Sequence, residues 1–114
     1  MVKYIIAIIQ PDRLQDVLAK LEEKEIHLVT VSQVLGRGRQ KGIAEVYRSH
    51  KEPGNLLKKV NLEIAVNQEF VAATIEAITG GARTGQIGDG KIFVLSLDEV
   101  VRIRTGETGG VAIW

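Results

Sequence analysis

The order in which two periodicities alternate along the chain constrains its fold more than any other feature. Residues 3–9 are apolar on both faces and rich in β-branched side chains, which predicts a buried strand. Pro11 and Asp12 then open a helix, with proline in the first turn and a carboxylate near the positive end of the dipole. Leu14, Val17, Leu18 and Leu21 recur at three- and four-residue spacing and give it one apolar stripe, with Arg13, Asp16, Lys20 and Glu23 outside. Residues 28–35 and 60–66 alternate with the period of strands. Asn67 is a candidate N-cap for a second helix, with Glu69 in its first turn and Phe70, Val71, Thr74, Ile75 and Ile78 on its buried face. Gly80 and Gly81 end that helix, since glycine commonly follows a helix C-terminus. Residues 91–97 make a fourth strand, and residues 100–104 a short last one before a loose tail containing Gly106, Gly109 and Gly110. The order β-α-β-β-α-β is that of the ferredoxin-like split βαβ motif, an α+β sandwich with strands one and three central and both helices on one face. No helix is left to cover the other sheet face, which predicts self-association.

Strands two and three are separated by residues 36–59, a basic, glycine-rich and hardly periodic stretch where a two-residue turn would have closed the hairpin. Loops longer than about 12–15 residues inside a compact domain are usually functional or disordered. A long solvated arm, residues 37–57, on a small single-domain base is therefore the feature that demands a function.

Composition removes several classes. With 45% hydrophobic and 25% charged residues, the chain is an ordinary globular one. A net charge of +1 argues against a general nucleic-acid binder, and the chain lacks the aromatic RNP signature of RNA-binding ferredoxin-like sheets. The absence of cysteine excludes disulfides and thiolate metal or redox sites and suits a cytoplasmic protein. No stretch approaches the ~20 apolar residues of a membrane span, so any membrane connection runs through a partner. His27 and His50 have no ligand spacing.

The second informative stretch is residues 82–91. Gly85 to Lys91 nearly spells the Walker A loop, but Ile92 stands where Ser or Thr should hold magnesium. The loop also leaves a helix for a strand, the reverse of a P-loop. What remains is the physics of phosphate cradling: glycines let main-chain N–H groups approach an anion, and Lys91 adds a charge. Arg102 and Arg104, two apart on the expected last strand, point to one side and are placed to clamp a phosphate. Taken alone, the glycines describe a turn with solvated basic residues around it. Together with the lysine and both arginines they read as a nucleotide phosphate site. Asp89, between two glycines, reads as a loop-forming residue rather than a catalytic acid.

Residues 84–94 (TGQIGDGKIFV) resemble the C-terminal signature of the PII nitrogen-regulatory signal-transduction proteins. Residues 36–42 (GRGRQKG) resemble the base of their T-loop, and residues 102–107 (RIRTGE) their closing motif. The three lie in register along nearly the whole chain. The resemblance implies a homotrimer with ATP or ADP bound in clefts between subunits. Gly88, Asp89, Gly90 and Lys91 would form the phosphate loop, and Gly36, Gly38, Arg39 and Glu63 would line the same cleft. Arg102, Arg104 and Thr30 would reach it from a neighbouring subunit. Gln40 would help ligate the Mg²⁺ that bridges ATP and 2-oxoglutarate, with Lys41, Gly42 and Lys59 at the 2-oxoglutarate site, Lys59 pairing with a carboxylate. Tyr47 and Arg48, at the loop tip, would meet partners such as ammonium transporters.

The tip departs from the family pattern. Glu52 stands where many bacterial relatives carry a uridylylated tyrosine, so that modification is chemically excluded. His50 replaces a serine phosphorylated in others. The resulting expectation is a non-enzymatic regulator of nitrogen metabolism. The alternatives are a divergent nucleotide sensor with another effector or partner, and a weak ATPase, although the chain lacks the Walker Ser/Thr and any evident water-activating residue.

Overall fold

The computed structural model describes residues 1–37 and 56–114, with the main chain of 51 and 52. Strand β1 (Val2–Ile9) passes through a 3-10 turn, Pro11–Arg13, into helix α1 (Leu14–Glu23). Strands β2 (Thr30–Gly36), β3 (Lys51–Glu52) and β4 (Leu56–Asn67) follow, then a 3-10 turn, Gln68–Phe70, and helix α2 (Val71–Ala82). Strand β5 (Gly90–Ser96) and a 3-10 segment, Gly109–Ile113, complete the described elements. The sheet is antiparallel in the order β2-β4-β1-β5, with β3 paired to the start of β4. This is the α+β ferredoxin-like arrangement that the element order predicts, with β1 and β4 central.

Alternation in the central strands decides where the core sits. Ile5, Ala7 and Ile9 of β1 and Val60, Leu62, Ile64 and Val66 of β4 turn toward the helices. There they meet Val17 and Leu21 of α1 and Ala77, Ile78 and Ala82 of α2. Each fully buried Val, Leu or Ile contributes about 1.5–3 kcal/mol. The opposite face carries Tyr4, Ile6 and Ile8 with Phe93 and Leu95, and the last two are 49% and 46% exposed. Among the described residues, the expected apolar face without a covering helix is therefore present. None of the described helices is long and apolar enough to cross a membrane.

Several boundaries differ from the sequence expectation, each for a physical reason. Helix α2 runs through both glycines to Ala82, because Gly81 is where the helices touch. A Cβ on Gly81 would lie 2.6 Å from the Cα of Val17. Tertiary packing thus overrides the poor helix propensity of glycine. Asn67 precedes the turn into α2 but makes no side-chain capping bond. Its Oδ1 instead lies against Gly110, 2.7 Å from where a Cβ would stand.

Strand β2 begins at Thr30, where its pairing with Glu63 starts, and β4 begins at Leu56, ahead of the predicted residue 60. Gly36 pairs with Leu57, so the ladder absorbs the foot of the predicted loop. The run LLKK, residues 56–59, has no alternation to announce this. The strand expected over residues 100–104 is absent: a single bridge joins Val101 to Thr108, and Gly106, at φ +76°, turns the chain back.

Candidate functional site

The glycine loop leaves α2 and enters β5, and its shape is set by one carboxylate. Asp89 Oδ2 accepts from the main-chain N–H groups of Thr84 (2.8 Å) and Gly85 (2.9 Å), and Oδ1 accepts from the Thr84 hydroxyl at 2.5 Å. Thr84 Oγ1 in turn accepts from Gln86 N. Two loop positions require glycine for different reasons. Gly88, at φ +97°, adopts a left-handed conformation that L side chains avoid. Gly90 sits so close to β1 that a Cβ would stand 1.8 Å from the Ile8 carbonyl oxygen.

The loop is held from below by a residue the sequence reading passed over. Gln10, fully buried just past β1, donates from Nε2 to the Gly88 carbonyl oxygen at 2.5 Å. Its Oε1 is buried without a hydrogen-bond partner among the described residues, a state that costs about 1–3 kcal/mol. No periodicity marks Gln10. It is simply the polar residue between an apolar strand and Pro11.

Beside the loop, between the end of β1 and the C-terminal end of α2, lies a cleft of about 230 Å³ lined by Ile9, Ala82, Arg83, Asp89, Gly90 and Lys91. Strand register places further candidates on the open sheet face. One cross-strand row runs Thr30, Glu63, Ile6, Phe93, and the next runs Ser32, Asn61, Ile8, Lys91. Lys59, on β4 opposite Val34, is only 8% exposed, and Gly36 lies where a Cβ would come 3.5 Å from its Cγ. Thr30, Glu63, Lys59 and Lys91 therefore share one face, with Gly36 at its margin.

Glu63 is held in place there. The Tyr4 hydroxyl donates to Glu63 Oε1, and Asn61 Nδ2 donates to Oε2 at 2.9 Å and to Ser32 Oγ at 3.4 Å. The hydrogen bond to Glu63 raises the Tyr4 pKa above its usual value of 10.0, and burial and the carboxylate charge add to the effect. Tyr4 and Asn61 had no signal in the sequence beyond strand alternation.

Arg102 and Arg104 are arranged differently from the expectation. Residues 102–105 lie outside any strand, so the period-two argument that places both on one side does not apply to them. The main chain of Arg102 pairs with Glu107 N-to-O at 2.9 Å, which closes a turn containing Arg104. The Arg102 guanidinium pairs with Glu107 and donates to the main-chain oxygens of Val111, at 2.6 Å, and Trp114. Arg104 is exposed. Trp114 packs edge-on against Phe70, ring centroids 5.8 Å apart. His27 pairs with Glu22 at 2.9 Å on the surface. Gly38, Arg39, Gln40, Lys41, Gly42, Tyr47, Arg48 and His50 lie outside the described residues, as does the side chain of Glu52.

The chain matches the family model described as Nitrogen regulatory protein P-II over residues 2–107. It belongs to the P-II family. Among curated P-II relatives, it is 53% identical to nitrogen regulatory protein GlnK1 of Methanosarcina mazei over 113 residues, 97% of each chain. It is 50% identical to nitrogen regulatory protein P-II of Rhizobium etli over 111 residues, covering 97% of this chain and 99% of that one. Among solved P-II structures, the PII of Arabidopsis thaliana bound to citrate superposes with a TM-score of 0.80 at 39% identity, covering 98% of this chain and 89% of the other.

Proposed function

We propose that this P-II protein is a non-enzymatic cytoplasmic regulator that senses ATP or ADP together with 2-oxoglutarate. In this reading it is a single-domain homotrimer that reports through residues 37–57 to partners such as ammonium transporters. The observation that carries the nucleotide half is the Asp89-braced glycine loop, opening beside Lys91 onto the same sheet end as Glu63 and Lys59. Such a loop offers main-chain N–H groups and a cation to a phosphate. The cleft of one chain, about 230 Å³, is smaller than the roughly 300–1,000 Å³ typical of pockets for drug-sized ligands. That size supports a site completed by a neighbouring subunit, as does the exposed apolar sheet face carrying Phe93 and Leu95.

Among the described residues, no group of three His, Cys, Asp or Glu side chains is arranged to hold a metal. In this reading Mg²⁺ takes its ligands from phosphate oxygens, water and the neutral oxygen of Gln40, which suits a cation that usually keeps few protein ligands. Lys59 supplies a buried cation at the root of the long segment for one carboxylate of 2-oxoglutarate, with Lys41 and Gly42 beside Gln40 at the other root. Arg39 and Gly38 line the nucleotide cleft, and Thr30, Arg102 and Arg104 reach it from a neighbouring subunit. For Arg102 that requires exchanging its contacts with Glu107 and the tail. Tyr47 and Arg48 contact the partner. A ligand that grips both roots biases the arm by binding some of its conformations better than others.

Citrate in the Arabidopsis relative supports a small carboxylate effector and keeps a second reading in play, a nucleotide sensor with a different acid as its signal. Calorimetric titration of 2-oxoglutarate into protein saturated with Mg-ATP, with Mg-ADP as control, separates the two. Binding only with Mg-ATP is expected, and Lys59→Ala should abolish it while sparing ATP. ATP binding without a 2-oxoglutarate response would replace the effector, and steady phosphate release at ~1 s⁻¹ or more would make the protein an enzyme.

A further inference from the structure

We propose that Gln10 is the positioning residue of the glycine loop. It holds the peptide between Gly88 and Asp89 with its carbonyl turned away from the phosphates the loop would bind. The inference rests on the nucleotide reading above.

The geometry runs from β1 to the loop. Gln10 is fully buried, and its Nε2 donates to the Gly88 carbonyl oxygen at 2.5 Å. The amide cannot be reversed, since Oε1 would then face another acceptor. In a planar trans peptide the C=O and the following N–H point in opposite directions. Holding the Gly88 carbonyl inward against Gln10 therefore turns the N–H end of that peptide away from the core. The opposite orientation would aim the negative end of a peptide dipole at an anion.

The backbone of Gly88 does not by itself make this choice. Gly88 has a φ of +97°, and glycine accepts conformations on either side of a peptide rotation. The flanking positions are fixed, because the Asp89 carboxylate ties down Thr84 and Gly85 and Gly90 sits on the Ile8 carbonyl. The Gly88–Asp89 peptide lies between these anchors. Gln10 restrains it through the Gly88 carbonyl. The unpaired Oε1 fits this role: a buried methionine would fill similar space without stranding an oxygen, but it would have no N–H to give.

The test compares wild type with Gln10→Met by calorimetric titration of Mg-ATP and by NMR of the loop amides without ligand. Gln10→Leu is a second donor-free variant should the first not fold. The expected result is a variant melting within a few degrees of wild type, with about tenfold weaker ATP binding and shifted or broadened amide resonances at Gly88, Asp89 and Gly90. A folded donor-free variant with unchanged ATP affinity overturns the proposal. If wild type itself binds no ATP, the nucleotide reading fails. The ligand-free amides then decide the positioning role alone: shifts at residues 88–90 support it, and unchanged resonances refute it.

Discussion

Tyr4 and Glu63 give the open sheet face its sharpest residue-level signature. The hydroxyl donates to a carboxylate, so losing its proton both breaks the bond and sets two negative charges together. Its pKa is raised accordingly. A group whose folded pKa lies above its unfolded value stabilises the fold fully below the unfolded value and loses that contribution as pH climbs through the folded one. Stability should therefore fall above pH 10 more steeply in wild type than in Tyr4→Phe, as urea midpoints across pH 8–12 would record. Glu63→Gln should bring the Tyr4 titration, followed by ultraviolet absorbance, back toward 10. Asp89 makes a second residue-level prediction. Asp89→Ala removes the acceptors of two main-chain N–H groups and one hydroxyl, so hydrogen exchange at Thr84 and Gly85 should accelerate at least tenfold. Unchanged exchange there would show that the loop holds its shape without the carboxylate.

Helix α2 shows how two adjacent glycines differ once packing is known. A Cβ on Gly80 meets nothing within 4 Å, whereas one on Gly81 would strike the backbone of Val17. Gly80→Ala should stabilise the protein by about 0.5–1 kcal/mol, because alanine relieves the entropic cost of glycine in a helix. Gly81→Ala should destabilise it by about 1–3 kcal/mol or more through overpacking. Thermal melts of the two variants should move in opposite directions. Nothing in the pair of letters distinguishes them, and the same blindness explains which elements could be foreseen. The strands and the stripe of α1 were legible because Ile5, Leu62, Val17 and Leu21 repeat with the period of their element. The extension of α2, the early start of β4 and the missing last strand depend on contacts between distant residues. At the site, glycines and cations announce themselves by type. Gln10 and Asn61 matter only through what the fold brings to them.

At the scale of the whole molecule, the sheet has a helix-covered face and an open one. Phe93 and Leu95, nearly half exposed on β5, lie beside Ile6 and Tyr4 on a sheet face that neither described helix covers. If this face is buried between subunits, a charge on its exposed β5 margin should dissociate the assembly. Phe93→Lys should shift sedimentation equilibrium from the trimer expected for wild type toward monomer. A wild type that is itself monomeric would remove the basis for a shared nucleotide cleft.

The tail has an optical consequence. Trp114 is the only tryptophan in the sequence, and its indole rests edge-on against Phe70 while its main-chain oxygen accepts from Arg102. Intrinsic emission excited at the red edge of protein absorbance therefore comes from one chromophore, wired to an arginine proposed to meet phosphate. An anion that recruits Arg102 takes away that anchor, and the spectrum of the unlabelled protein becomes a gauge of how far the guanidinium has been drawn off.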